Sequence, residues 1–556
     1  MRARPTGRLG AAVADAPRAN ELSRFLRQLK EQSGHSYEWI GRRVNASKST
    51  VHRYCSGESV PPTFGLIEQI AKACQADKTD LAHLHRLWIR ATTPAEESAE
   101  SQESITVLLR PPREREPVRR AAADGRGVVW TSAGLVIACL LILTASAPGN
   151  PAGSPAGVPR ITGPSWVRPP APVPATLFGV TVNSATGAMP SFRIGAVRLW
   201  DSATRWSQIQ PRRGEFDWST LDRHVEGAQR SRLPVLFVFG GTPGWASPTG
   251  PPAPYPDGSR AAPPDDLADW ESFVRAVAGR YRGRIAAYEL WVLGNDHRFY
   301  SGDIGTLIEM THRAARIIRR ADPEATLVCP GMGRLWSRDG RDALRRFAQL
   351  GGYGHCDVAS VKLHQRIASD PPETMLELAD LADRTLHEAG VHPRLWSTGT
   401  SYTLPLERPL DALTARAYAA RYFLVGLYAR GLNVERMYFY NWGGTKIPIV
   451  LQGEGGVPTS AALAVEQLQR WLAHASSRSC GHGDAIGLPA NVWRCEVTVT
   501  GDGGTHGAAV MWTVAGTAEI PASRDTTTLR RLDGTSHAVR PGDTITVGQE
   551  PIFVEG

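Results

Sequence analysis

Tyr288-Glu289-Leu290-Trp291-Val292-Leu293-Gly294-Asn295, followed by Asp296-His297-Arg298-Phe299 and Tyr300-Ser301-Gly302-Asp303, is the stretch on which the reading of this chain turns. Ala286–Trp291 is a short apolar and aromatic run, and Gly294 closes it, so it reads as a buried strand that passes into a loop. Seven more such runs surround it: Leu177–Val182, Ala196–Trp200, Val235–Phe239, Thr326–Cys329, Val358–Leu363, Arg394–Thr398 and Arg436–Tyr440. Amphipathic helical stretches lie between them, with no early antiparallel pairs. That alternation predicts a (β/α)8 TIM barrel over residues 177–472. Beyond it, Val492–Thr498, Ala508–Thr513, Thr527–Leu532 and Thr544–Val547 alternate with Gly and Asp turns, predicting a small C-terminal β-sandwich over 473–556.

Upstream the texture differs. Residues 148–176 are Pro- and Gly-rich, an extended stalk. Residues 128–147 form an uncharged apolar run about as long as a bilayer is thick, which predicts a single transmembrane helix. Residues 91–127 are Glu-rich and then basic, a disordered juxtamembrane linker. Arginines precede the apolar run and few basic residues follow it, so the N-terminus is expected in the cytoplasm and the C-terminal domains outside the membrane. Residues 18–90 read as an all-α unit. Leu22, Phe25, Leu26 and Leu29 recur at helical spacing; Ser36 and Ser47 are placed to cap a second and a third helix. Leu66, Ile67, Ile70 and Cys74, then Leu81, Leu84, Leu87 and Trp88, face the core of two more.

With 556 residues and a net charge of +9, the placement of charge matters more than its size. Residues 18–90 hold twelve Lys/Arg against seven Asp/Glu, a bias that suits a polyanionic partner. The seven cysteines show no metal-ligand spacing, so no metal and no cofactor is expected. Cys480 and Cys495 flank a short Gly-rich loop between strands and suit a disulfide. Cys329 ends one barrel strand and Cys356 starts the next, positions at opposite ends of a barrel, so these two are not paired.

The run Ile40-Gly41 through Tyr54-Cys55-Ser56-Gly57 resembles the Cro/cI-type helix-turn-helix domains. That resemblance implies double-stranded DNA as a partner, with Lys48, Ser49, Thr50 and Arg53 facing base edges and Arg42 and Arg43 on phosphates. Such domains generally read DNA as dimers, so a homodimer is one arrangement it allows.

The opening stretch resembles the fourth-strand signature of the clan-A (β/α)8 glycoside hydrolases, the β-xylosidase-like families in particular. Their pattern is Tyr-Glu-Ile-Trp-Asn-Glu-Pro-Asn, then aromatic-Ser-Gly-Asp. The slot of the family's acid/base is Leu293. Around Pro393-Arg394-Leu395-Trp396-Ser397-Thr398-Gly399 the family pattern is aliphatic-Trp-x-Thr-Glu, which puts Gly399 in the nucleophile slot. Retaining hydrolysis needs two carboxylates about 5 Å apart, and both slots lack one. Glu289 reads as a structural barrel residue, and Asp201, Asp296 and Asp303 as hydroxyl acceptors or loop anchors.

The sugar-facing equipment is better kept. Trp200, Asp201, Trp245, Trp291, Asn295, His364, Trp396, Tyr440, Asn441 and Trp442 fall at or near strand ends and supply the aromatic faces and polar groups a pyranose ring needs. The sequence thus reads as a membrane-tethered transcriptional regulator whose outer pseudo-glycosidase domain binds carbohydrate without cleaving it. Alternatives are an anchored hydrolase with relocated carboxylates, and a structural ectodomain that binds protein or cell wall.

Overall fold

The computed structural model describes residues 16–44, 48–58, 64–92, 163–501 and 504–556. The chain divides into two compact units, Met1–Ser146 and Ala147–Gly556.

In the first unit five helices follow one another: α1 (Ala16–Ser33), α2 (Tyr37–Arg43), α3 (Lys48–Ser56), α4 (Phe64–Ala73) and α5 (Lys78–Thr92). Ser36 caps α2 by accepting from the Trp39 N–H. Asp77 does the same for α5, accepting from the N–H groups of Thr79 and Asp80. Ser47 lies outside the described residues, as does the side chain of Leu66. Leu22, Leu26, Leu29, Ile40, Val51, Ile67 and Leu84 make a shared core, with Cys55 and Cys74 among them as free thiols. Arg27 donates twice to the Cys55 carbonyl, at 3.2 and 3.1 Å, and so ties the last turn of α3 to α1.

The second unit is built on eight parallel strands in a closed barrel: β2 (Phe178–Val182), β3 (Ala196–Leu199), β4 (Val235–Val238), β5 (Ala287–Glu289), β6 (Thr326–Val328), β7 (Val358–Val361), β8 (Arg394–Ser397) and β9 (Val434–Trp442). Side chains on a strand alternate in direction, so every second residue faces the barrel axis. Ala196, Leu236, Ala287, Val328, Val358, Trp396 and Tyr438 pack together as one apolar layer. Two residues further along their strands come Arg198, Glu289, Ser360, Thr398 and Tyr440, so the next layer is polar. That step sets the floor of the site.

A seven-stranded antiparallel sheet packs beside the barrel in the order β1 (Ser165–Pro172), β10 (Ala475–His482), β11 (Val492–Gly501), β12 (Gly504–Thr513), β17 (Ile552–Glu555), β14 (Thr528–Arg531) and β15 (Ser536–Ala538). A second sheet pairs β13 (Ala518–Pro521) with β16 (Thr544–Val547). Residues 165–172, expected within the stalk, are instead an edge strand. An edge position tolerates prolines because half its N–H groups have no ladder partner to lose. Trp166 anchors the strand, donating from its indole to the Tyr428 carbonyl at 2.8 Å. Buried Arg421 on the helix Ala412–Tyr428 holds Glu373, which also accepts from Trp512 of β12 at 2.7 Å, so barrel and sheet share one ion pair.

Two expectations are corrected. Among the described residues no helix is long and apolar enough to cross a membrane. The longest, Ala16–Ser33 and Ile304–Ala321, carry charges along their length, and the apolar run 128–147 lies outside the described residues. The single-pass topology, with its cytoplasmic N-terminus and exported C-terminal domains, is not supported by the described helices. Second, Cys329 and Cys356 are bonded, with Cα atoms 5.4 Å apart. The last residue of β6, Val328, lies opposite the first of β7, Val358, so the end of one strand meets the start of the next. Cys480 and Cys495 are bonded as well, directly opposite one another on β10 and β11.

Candidate functional site

At the C-terminal ends of the barrel strands, where the loops of such barrels build their sites, lies a cavity of about 150 Å³. Its floor is an ion cluster. Glu289, at the end of β5, is fully buried and receives Arg198 Nε at 2.9 Å and Lys362 Nζ at 2.7 Å. Hydroxyls of Ser360 and Thr398 complete its shell at 2.8 and 2.9 Å. Burial pushes the Glu289 carboxyl up, but the two cations and the hydroxyls outweigh it and hold the group below the usual carboxylate range. Burial together with Arg198 pushes the Lys362 ammonium down to about 7, against the pull of Glu289. A carboxylate held this way stays ionised, with both oxygens engaged. Gly331 passes directly over the cluster, where a Cβ would come within 2.6 Å of Glu289 Oε1 and 2.8 Å of Lys362 Nζ.

The wall opposite carries Asp201, which accepts from Tyr440 Oη at 2.6 Å. Burial raises its pKa, more than Tyr440 and Arg205 lower it. Trp200 donates to Tyr255 Oη at 2.7 Å, and the Arg205 guanidinium lies 3.9 Å over the Tyr255 ring while pairing with Asp257. Phe299 and Tyr402 meet edge to face at the rim.

Leu293 lines the cavity, tucked against the bare backbone of Gly333, where a Cβ would meet its Cδ2 at 2.5 Å. Gly399 lines it too, at φ 125°, a conformation that side-chain-bearing residues rarely adopt. Asp296 is clamped by Arg298, and Asp303 caps the helix Ile304–Ala321 by accepting from the Thr306 N–H.

Of the ten residues singled out for carbohydrate, Trp200, Asp201 and Tyr440 converge on the cavity. His364 lines a smaller chamber beside it. The other six are spent on structure. Trp291 and Trp442 are buried and donate to the Phe299 carbonyl and to Gln452. Trp396 belongs to the apolar layer and bonds Glu435. Trp245 bonds the Gln210 carbonyl under Arg213. Asn295 uses both ends of its amide on the loop at Gly333, and Asn441 accepts from the Gly444 N–H. Arg198, Lys362 and Tyr255 were not singled out. For Arg198 and Lys362 the available signal was a cation inside an apolar strand run, at an inward-facing position, with Glu289 in a third run as the opposite charge; Tyr255, on a loop, offered none.

On the helical unit, Lys48, Ser49, His52 and Arg53 are exposed along α3, and Thr50 is half-buried. Arg53 reaches Glu58 only at 3.9 Å, and Arg42 reaches Glu38 at 3.8 Å, both pairs well solvated. The first turn of the helix thus presents donors to the outside.

Residues 21–84 match the family model described as a helix-turn-helix domain. No curated protein matches the chain in sequence. Among solved structures it is similar to a family 39 glycoside hydrolase from Bacteroides cellulosilyticus WH2, with a TM-score of 0.51 and 16% identity over 69% of this chain and 81% of that one. A monomeric beta-xylosidase from Caulobacter crescentus CB15 gives 0.48 and 12% over 69% and 97%. At the first of these likenesses the fold follows and nothing more. The chain therefore carries a unit that matches a helix-turn-helix domain and, beyond it, a TIM barrel with a glycoside hydrolase-like fold.

Proposed function

We propose that the chain is a transcriptional regulator whose barrel binds a saccharide without hydrolysing it, and whose helix-turn-helix unit binds DNA as a homodimer controlled by that sugar. The observation that supports this is the cavity: Leu293 and Gly399, which resemblance puts in the two catalytic slots, line it, and Glu289 is locked between Arg198 and Lys362. What remains, an aromatic wall with Asp201 and Tyr440, supports ring stacking and hydroxyl recognition. Lys48, Ser49, Thr50 and Arg53 would face bases, and Arg42 and Arg43 phosphates.

The test is a glycan array probed with the full-length chain, with bound sugars checked for cleavage. Binding without cleavage is expected, and so is a change in operator occupancy when that sugar is added. A second reading has one observation in its favour. Burial raises the Asp201 pKa, which suits a proton donor. Release of sugar from an aryl glycoside, lost in Asp201→Asn, would replace the binding-only reading.

A further inference from the structure

Beside the polar cavity lies a chamber of about 50 Å³ that holds His364 and is walled by Tyr418, Tyr422, Phe439 and Ile449. Gly399, Thr400, Pro405 and Tyr440 border both spaces. At Gly399 no side chain separates them, and a Cβ there would lie 3.7 Å from Arg198 Nη1.

His364 is buried, and its Nδ1 lies 2.7 Å from the Gln365 carbonyl oxygen. A carbonyl only accepts, so Nδ1 carries the proton. Burial pushes the ring's pKa down, so the ring is neutral and Nε2 is a bare acceptor. That Nε2 has no hydrogen-bond partner among the described residues, and neither has the buried Oγ1 of Thr400, whose hydroxyl can donate. Buried polar atoms are almost always paired, so two at one chamber call for an occupant.

The occupant must bring a donor for His364, an acceptor for Thr400 and an apolar part for the aromatic wall. Its size is set at roughly three water-sized positions of ~15 Å³ each. A secondary amide meets all of these: N–H to Nε2, C=O to the Thr400 hydroxyl, and a methyl group against Tyr422 and Phe439. A plain hydroxyl leaves the wall unused. We infer that the ligand is a saccharide with an N-acylamino substituent of acetamido size, its ring in the polar cavity and its amide in the His364 chamber. This rests on the sugar-binding reading above.

Isothermal titration of the full-length chain with N-acetylglucosamine, N-acetylgalactosamine and N-acetylmannosamine, against glucose, galactose and mannose, tests it. At least one acetamido sugar is expected to bind about tenfold tighter than its parent. His364→Phe and Thr400→Val should each bring that ratio toward one, with folding followed by circular dichroism. Parent sugars binding as well as their acetamido counterparts would overturn the inference, leave sugar binding intact, and give the chamber to water. A preference that survives both substitutions would also overturn it. Failure of every sugar to bind would overturn both readings. The comparison within the unaltered chain decides the matter even where a variant does not fold.

Discussion

The helical unit and the barrel use the same residue types in opposite ways. In the helical unit the charged side chains of α3 stand in solvent, while Cys55 and Cys74 sit as free thiols in an apolar core. In the second unit the decisive charges, Arg198, Glu289 and Lys362, are buried within the barrel, and the four cysteines of barrel and sheet are bonded. The helical unit keeps its charges on one exposed helix, where each residue acts almost alone. The barrel builds its cavity floor from strands far apart in sequence, so each charge depends on the others.

That contrast predicts where substitution hurts. Glu289→Gln leaves two cations facing each other without a buried carboxylate. It should cost about 3–5 kcal/mol of barrel stability in denaturant titration, whereas Arg53→Ala should change the helical unit by less than about 0.5 kcal/mol. Equal small effects would mean that the ion cluster is solvated after all. Replacing Cys329 and Cys356 by Ala removes a crosslink across 27 residues and should cost about 3 kcal/mol. For DNA, Lys48→Ala and Arg53→Ala should each weaken operator binding by about 1–3 kcal/mol and relax base preference, read by mobility shift. Arg42→Ala should instead flatten the salt dependence.

A pH effect follows from the same ion cluster. Lys362 titrates near 7 when folded and near 10.5 when free, so the unfolded chain binds more protons between those values. Stability from this group therefore rises with pH across that window and is flat below about 7. Lys362→Met should remove that slope from a series of melts. Least of all, Cys55, its thiol pushed up to about 11 by burial, and Cys74 should resist a maleimide at neutral pH. Fast labelling would show that the core of the helical unit opens.

The eight strands were legible because each is a short apolar run between helical stretches, and the helical unit because its contacts are local. The ion cluster was not. Arg198 and Glu289 are 91 residues apart, and Glu289 and Lys362 are 73, so nothing in either neighbourhood announces the other. The tryptophans misled for a related reason. Trp291, Trp396 and Trp442 lie at or near strand ends, but their indole N–H groups find partners inside the protein, which turns each ring inward. The membrane span was read from hydropathy alone and has no counterpart among the described helices. That Leu293 and Gly399 stand in catalytic slots is an expectation from resemblance alone, whereas the clamping of Glu289 needed the fold.

The proline-bearing strand β1 has a practical meaning for anyone shortening this protein. It closes the open side of β10, pairing from Ser165 to Pro172. A barrel cut to begin at residue 177 would bare a run of unsatisfied backbone groups on a flat margin, a template for sticking to its own copies. The natural place to begin such a fragment is before Ser165, and poor solubility of a shorter one would report the missing strand rather than a faulty barrel.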